Sequence, residues 1–210
     1  MRIYFDTEFI EDGKTIDLVS IGLVREDGAT YYAESSEADL SKANDWVKEN
    51  VLVHLKGNAI PRDQIAREIL EFVGESPEFW AYYADYDWVA LCQLYGRMID
   101  LPEGWPMFCQ DLIQLAKSIG NPQLPKQDSV EHHALADAIW NQSIHGFLQS
   151  TIEKKDAEVE RLRKVADDLL LLIDEASGEL ELRCNDSKLQ FAVLTCDDPE
   201  EPTSTYFLRS

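Results

Sequence analysis

The chain is 210 residues long, 45% apolar and 10% aromatic, with 19 basic against 40 acidic residues and a net charge of −21. That composition is globular and excludes wholesale disorder, while the charge excludes a protein that coats nucleic acid or an anionic membrane through a basic surface. If the protein handles a polyanion, something other than lysine and arginine must supply most of the positive charge.

Arg2 to Glu8 predicts a strand and Ile16 to Arg25 a second, with Glu26-Asp27-Gly28 turning into a third, Ala29 to Ala33. The start of the chain lacks an apolar core before its first carboxylate, Asp6, and so does not read as a secretory signal. Leu40 to Val53 carries helical spacing through Leu40, Ala43, Trp46 and Val47. Pro61 stands where the first turn of a helix tolerates proline, and Ile65, Ile69 and Phe72 continue that helix. Phe79 to Ala84 reads as a buried strand, Trp88 to Tyr95 as a helix ended by Gly96, and Asp111 to Ile119 as a helix closed by Gly120-Asn121-Pro122. His133 to Leu148 is the last helix of this region. Early strands followed by alternating strands and helices are the α/β pattern of a mixed sheet with helices on its faces.

Residues 151–210 differ and are expected to form a C-terminal helix plus β-hairpin extension to a domain of residues 1–150. Ile152, Val159, Leu162, Ala166, Leu169 and Ile173 make a short coiled-coil-like seam, stopped by Ser177-Gly178. The seam suits packing on the body or on a second copy, so a homodimer is one expectation. Glu179 to Cys184 and Leu189 to Thr195 read as strands around Asn185-Asp186-Ser187, and Thr205 to Leu208 follows Pro199 and Pro202. The apolar run Leu169 to Ile173 falls far short of the ~20 residues of a membrane helix. Cys92, Cys109, Cys184 and Cys196 form no CxxC pair, which supports neither a zinc ribbon nor a redox dithiol. Reduced, structural thiols in a cytoplasmic protein are the simplest expectation.

Three constellations carry chemistry. Asp6 and Glu8 lie two apart on a strand and so share a face, among the apolar Ile3, Tyr4, Phe5 and Phe9. Two carboxylates there repel and resist desolvation unless a divalent cation compensates, and oxygen ligands suit magnesium or manganese. The alternative is a strand already emerged into water. Asp85 and Asp87 stand at a strand-to-helix junction, where either serves as a helix cap or as a ligand group at the sheet's C-terminal edge. His132 and Asp137 are five residues apart, a rotation of about 140° on a helix, so they converge only if His132 lies in the loop before it. A histidine with a reference pKa of ~6.5 can accept a proton from water near neutral pH. His133 reads as an ordinary polar residue at a helix start.

Taken together, Asp6-Thr7-Glu8, Ala84-Asp85-Tyr86-Asp87-Trp88-Val89-Ala90-Leu91 and His132-His133-Ala134-Leu135-Ala136-Asp137 resemble the three motifs of the DEDDh 3′→5′ exonuclease superfamily. Asp6-Thr7-Glu8-Phe9-Ile10 with Ile16-Asp17-Leu18-Val19-Ser20-Ile21-Gly22 looks most like its small bacterial and phage, mycobacterial-type exoribonuclease subgroup. The resemblance covers about residues 1–148. Phe9-Ile10-Glu11 and Tyr82-Tyr83 depart from the Thr-Thr-Gly and His-Asn of many relatives, which bears on the nucleotide pocket more than on the metal chemistry.

The resemblance implies a ribonuclease H-like fold and assigns the catalytic aspartate to Asp87 and the general base to His132. It implies that Asp6, Glu8, Asp87 and Asp137 hold two divalent cations, Mg2+ or Mn2+, and that Glu8 also faces the terminal ribose. Thr7 and Phe9 fall at the substrate, with a core role for Phe9 equally open. The implied reaction is hydrolysis of terminal phosphodiesters to nucleoside 5′-monophosphates, with RNA favoured over DNA as the substrate. The charge adds that the footprint on the nucleic acid 3′ end is short. The rivals are a DNA exonuclease with the same residues and an inactive scaffold of the same fold.

Overall fold

The structure, a computed structural model, describes residues 1–175, 179–185, 188–194 and 205–207. The chain divides into two compact units, Met1–Ile152 and Glu153–Ser210. In the first, strands β1 (Arg2–Glu11), β2 (Ile16–Arg25) and β3 (Thr30–Glu34) form an antiparallel meander. Strands β4 (Glu78–Ala81) and β5 (Gln110–Asp111) add in parallel beyond β1, giving the order β3-β2-β1-β4-β5. Helices α1 (Asp45–Asn50), α2 (Arg62–Val73), α3 (Asp85–Gln93), α4 (Leu112–Ser118) and α5 (Ala134–Glu175) complete the order. This is the expected ribonuclease H-like mixed sheet, flanked by helices.

The pleat of β1 divides its side chains between the two faces of the sheet. Ile3 and Phe5 pack with Ile65 and Ile69 of α2 and Trp88 and Leu91 of α3. Tyr4 points the other way, into a cluster with Leu112 of α4 and Ala138, Ile144 and Leu148 of α5. Side chains alternate across a strand, so Asp6 and Glu8 continue the α5 face and Thr7 continues the α3 face. Opposite Asp6 in the register stands Gly22 of β2. A Cβ on Gly22 would lie 2.3 Å from the backbone nitrogen of Leu135. The absence of a side chain there lets the start of α5 press onto the sheet beside Asp6.

Several elements differ from expectation. Leu40 to Val53 is not one helix: Asp39 caps an opening 3-10 turn, the extended Ala43 and the cap Asn44 separate it from the short α1, and a second 3-10 turn follows with no side-chain cap. The Asp39 and Asn44 side chains compete with the helical ladder, as short polar residues do. Pro61 is the residue before α2 rather than its first turn. β4 stops at Ala81, three residues early, and Tyr83 takes a left-handed φ of 55° in the turn after it. α3 consequently starts at Asp85, and neither aspartate caps it. Asp111 is the cap of α4, accepting from the amides of Ile113 and Gln114. β1 runs on to Glu11 through a bulge at Glu8/Phe9.

The largest correction is α5, which does not end at Leu148 but runs 42 residues to Glu175. No proline or glycine after Gly146 interrupts it, and helix-forming Glu, Lys, Arg, Leu and Ala fill the stretch. In the second unit Val159 and Leu162 of the seam are exposed, and Ala166 and Leu169 are half-buried. Strands β6 (Glu179–Asn185), β7 (Lys188–Leu194) and β8 (Thr205–Phe207) form an antiparallel sheet in the order β6-β7-β8. Ser177, Gly178, Asp186, Ser187, Thr195, Pro199, Pro202 and Leu208 lie outside the described residues, as does the side chain of Ile173. Among the described residues no helix is long and apolar enough to cross a membrane.

Candidate active site

β1 and β4 pair only from Arg2 to Tyr4, after which they diverge. Beyond that point β1 has backbone groups with no strand partner, and side chains take them. Asn141 of α5, buried, donates from Nδ2 to the Phe5 carbonyl at 2.9 Å. Asp87, in the first turn of α3, accepts the Thr7 amide at 2.9 Å and the Thr7 hydroxyl at 2.5 Å, both on Oδ1. The crevice outside the C-terminal ends of parallel strands is where α/β proteins bind ligands, and these contacts fix its floor.

Into that crevice Asp6 and Glu8 project from β1 and Asp137 from α5, with one oxygen of each within 4.8 Å of the others. Asp87 stands outside this trio but lines the same cleft. The electrostatics reflect the crowding. Burial, then the charges of Asp87, Glu8 and Asp137, push the Asp6 carboxyl well above its ordinary range. Burial and the charges of Asp137 and Asp87 push Glu8 up to about 8. Burial pushes Asp87 up to about 6 against the pull of its two Thr7 hydrogen bonds. Burial raises Asp137 too, opposed by a 2.5 Å hydrogen bond that it accepts from Gln127 Nε2. An all-oxygen set of mutually repelling, half-buried acids fits a hard divalent cation such as Mg2+ or Mn2+.

His132 precedes α5 in a left-handed conformation, φ 63°, and so is not constrained to the helical angle to Asp137. It meets the Trp46 ring edge-on at 4.8 Å and lines the clefts on both sides of the acids. His133 stacks on Tyr32 at 4.7 Å, and its Nδ1 accepts from the Ala136 amide at 3.5 Å. Phe9 is half-buried and meets Tyr86 edge-on at 5.8 Å. Thr7 is buried and gives its amide and hydroxyl to Asp87, so its side chain serves the protein rather than facing open solvent.

Two adjoining clefts share Asp6, Tyr82, His132 and Asp137. One, about 600 Å³, is walled by Phe9, Trp46, Tyr83 and Tyr86. The other, about 650 Å³, is lined by Lys126, Gln127, Glu131, Trp140 and Asn141. Sequence reasoning named Phe9 among these wall residues and missed Trp46, Gln127 and Asn141. Trp140 and Asn141 had a signal, since they come three and four residues after Asp137 on one helix face. Gln127, in an irregular loop, had none.

Residues 1–149 match the model of the 3′-5′ exoribonuclease Rv2179c-like domain. Two curated Mycobacterium tuberculosis proteins are 46% identical over 146 residues, 66% of this chain and 87% of theirs: 3′-5′ exoribonuclease Rv2179c of strain H37Rv and 3′-5′ exoribonuclease MT2234.1 of strain CDC 1551. Among solved structures, Escherichia coli exonuclease I in complex with a 5cy-dT13 oligonucleotide aligns with a TM-score of 0.46 and 10% identity. That alignment covers 91% of this chain and about half, 54%, of exonuclease I.

Proposed function

Because the chain belongs to the Rv2179c-like 3′-5′ exoribonuclease domain family, we propose that it is a metal-dependent exoribonuclease that removes nucleoside 5′-monophosphates from RNA 3′ ends. The observation that carries this reading is the convergence of Asp6, Glu8 and Asp137 within 4.8 Å in the crevice where β1 and β4 part. Asp87 completes the set from α3. Two divalent cations held by these four acids, when bound, supply the charge that offsets the phosphate and lower the pKa of the attacking water.

The chain's own groups do the rest. The acids are fixed before substrate arrives, by Thr7 on Asp87 and Gln127 on Asp137, and preorganised charge is worth more than charge that must reorient. His132 accepts the proton of the attacking water, and its position outside the helix gives its ring access to the cleft. Glu8 orients the terminal ribose from within the acid cluster. Phe9 offers an aromatic face to the last base, where stacking is sequence-tolerant. The test is digestion of matched 5′-labelled RNA and DNA oligonucleotides with manganese. Stepwise shortening of the RNA from its 3′ end, faster than that of the DNA, is expected. Internal cuts, or digestion of the DNA alone, would overturn the assignment.

A further inference from the structure

We propose that Lys126 is the anchor for the phosphate one linkage upstream of the bond being cut, so that the enzyme grips its substrate electrostatically at a single upstream position. This rests on the exonuclease reading above and specifies how that site holds the strand. Among the described residues lining the two clefts, Lys126 is the only lysine or arginine. It makes no ion pair and no side-chain hydrogen bond among those of the described residues. Its side chain is exposed, but both chain neighbours are held, one through its backbone carbonyl and the other through its side chain. The Pro125 carbonyl accepts from Trp140 Nε1 at 3.2 Å, and Gln127 donates to Asp137. The loop therefore presents one unpaired ammonium from a fixed base beside the acids.

Its location sets which phosphate it meets. The terminal nucleoside lies with Glu8 and Phe9 in the aromatic cleft, and the scissile phosphate lies over Asp6 and Asp137, which both clefts share. The strand then leaves through the second cleft, where Lys126 stands. Glu131, Asp6 and Asp137 line that cleft as well. With Asp6 and Asp137 assigned to the cations, Glu131 is the acid left to repel a phosphate entering there and Lys126 is the ammonium that attracts it. Lys126 is thus the group whose loss a substrate feels in binding rather than in chemistry.

The experiment is a cycle of protein and substrate changes. A trinucleotide RNA is compared with the same RNA bearing a neutral methylphosphonate at the linkage next upstream of the terminal one. In wild-type protein the methylphosphonate should raise KM roughly threefold to tenfold with kcat little changed, the scale of one partly exposed charge contact. In Lys126→Gln the unmodified RNA should already show the raised KM, and the methylphosphonate should add nothing. Lys126→Arg should restore most of the sensitivity. KM should also depend less steeply on salt in Lys126→Gln than in wild type. An equal methylphosphonate effect in wild type and Lys126→Gln overturns the assignment of Lys126, as does no effect in wild type. Failure of wild type to cut the unmodified RNA overturns the exonuclease reading instead.

Discussion

Thr7 and Asp87, 80 residues apart, are joined by two hydrogen bonds to one carboxylate oxygen, from the Thr7 amide at 2.9 Å and the Thr7 hydroxyl at 2.5 Å. The residue between the two acids of the first motif thereby aims the acid of the second. Thr7→Val keeps the shape and removes the hydroxyl donor. It should cost about 1–2 kcal/mol in stability, because a buried carboxylate loses a partner. It should also raise the manganese concentration needed for half-maximal rate about 10–100-fold, the usual effect of losing a partner of a metal ligand. Titration of the rate with manganese checks this.

Asp6→Asn removes one charge from a cluster that repels itself. In EDTA at pH 8 the variant should be more stable than wild type by about 1–2 kcal/mol, a rise of roughly 2–8 °C in Tm. With manganese it should lose hydrolysis and most of the metal-induced stabilisation. Thermal unfolding of both proteins, with and without metal, separates this from a structural acid, whose loss lowers Tm in both conditions.

The pH dependence comes from the crowded acids: Asp6 and Asp137 are raised, Glu8 is raised to about 8 and Asp87 to about 6, all chiefly by burial. The unfolded chain releases these protons near pH ~4. Between the two limits the folded protein holds more protons than the unfolded one, so unfolding free energy falls as pH rises. Metal-free protein should therefore lose stability steadily from about pH 5 to 8. Glu8→Gln should flatten the curve, and denaturant titrations across that range measure it.

His132→Ala should reduce kcat about 10²–10⁴-fold, the usual contribution of a positioned base, and leave KM within about twofold. His133→Ala should change activity little and stability modestly, since its ring stacks on Tyr32. Steady-state kinetics on a short RNA distinguish the two. Equal losses of kcat and binding in His132→Ala would mark a structural histidine.

Much of the site was legible in sequence because it is local. The period of β1 put Asp6 and Glu8 on one face, and the acids' order along the chain announced the family. The features that stayed hidden depend on tertiary contact. Gly22 stood in a strand and in the run shared with the exoribonuclease subgroup, but nothing in the sequence showed that the backbone of Leu135 lies where its Cβ would be. Gln127 reaches Asp137 from a loop with no periodicity to read. Leu40 to Val53 has helical spacing, but the extended Ala43 and the side-chain cap at Asn44 break the helix there. The end expected for α5 at Leu148 rested on a change in pattern, not on a helix-breaking residue, and the helix continues.

If the acids of β1, α3 and α5 form a dication site, manganese must stabilise the fold, and thermal unfolding against manganese concentration reads that stabilisation. Wild-type protein at pH 8 should gain about 2.7 kcal/mol at a hundredfold excess over Kd, roughly 5–11 °C in Tm. Asp137→Asn should lose most of that gain. A wild-type Tm indifferent to millimolar manganese, or one that rises equally in Asp137→Asn, would mean that these acids hold no cation.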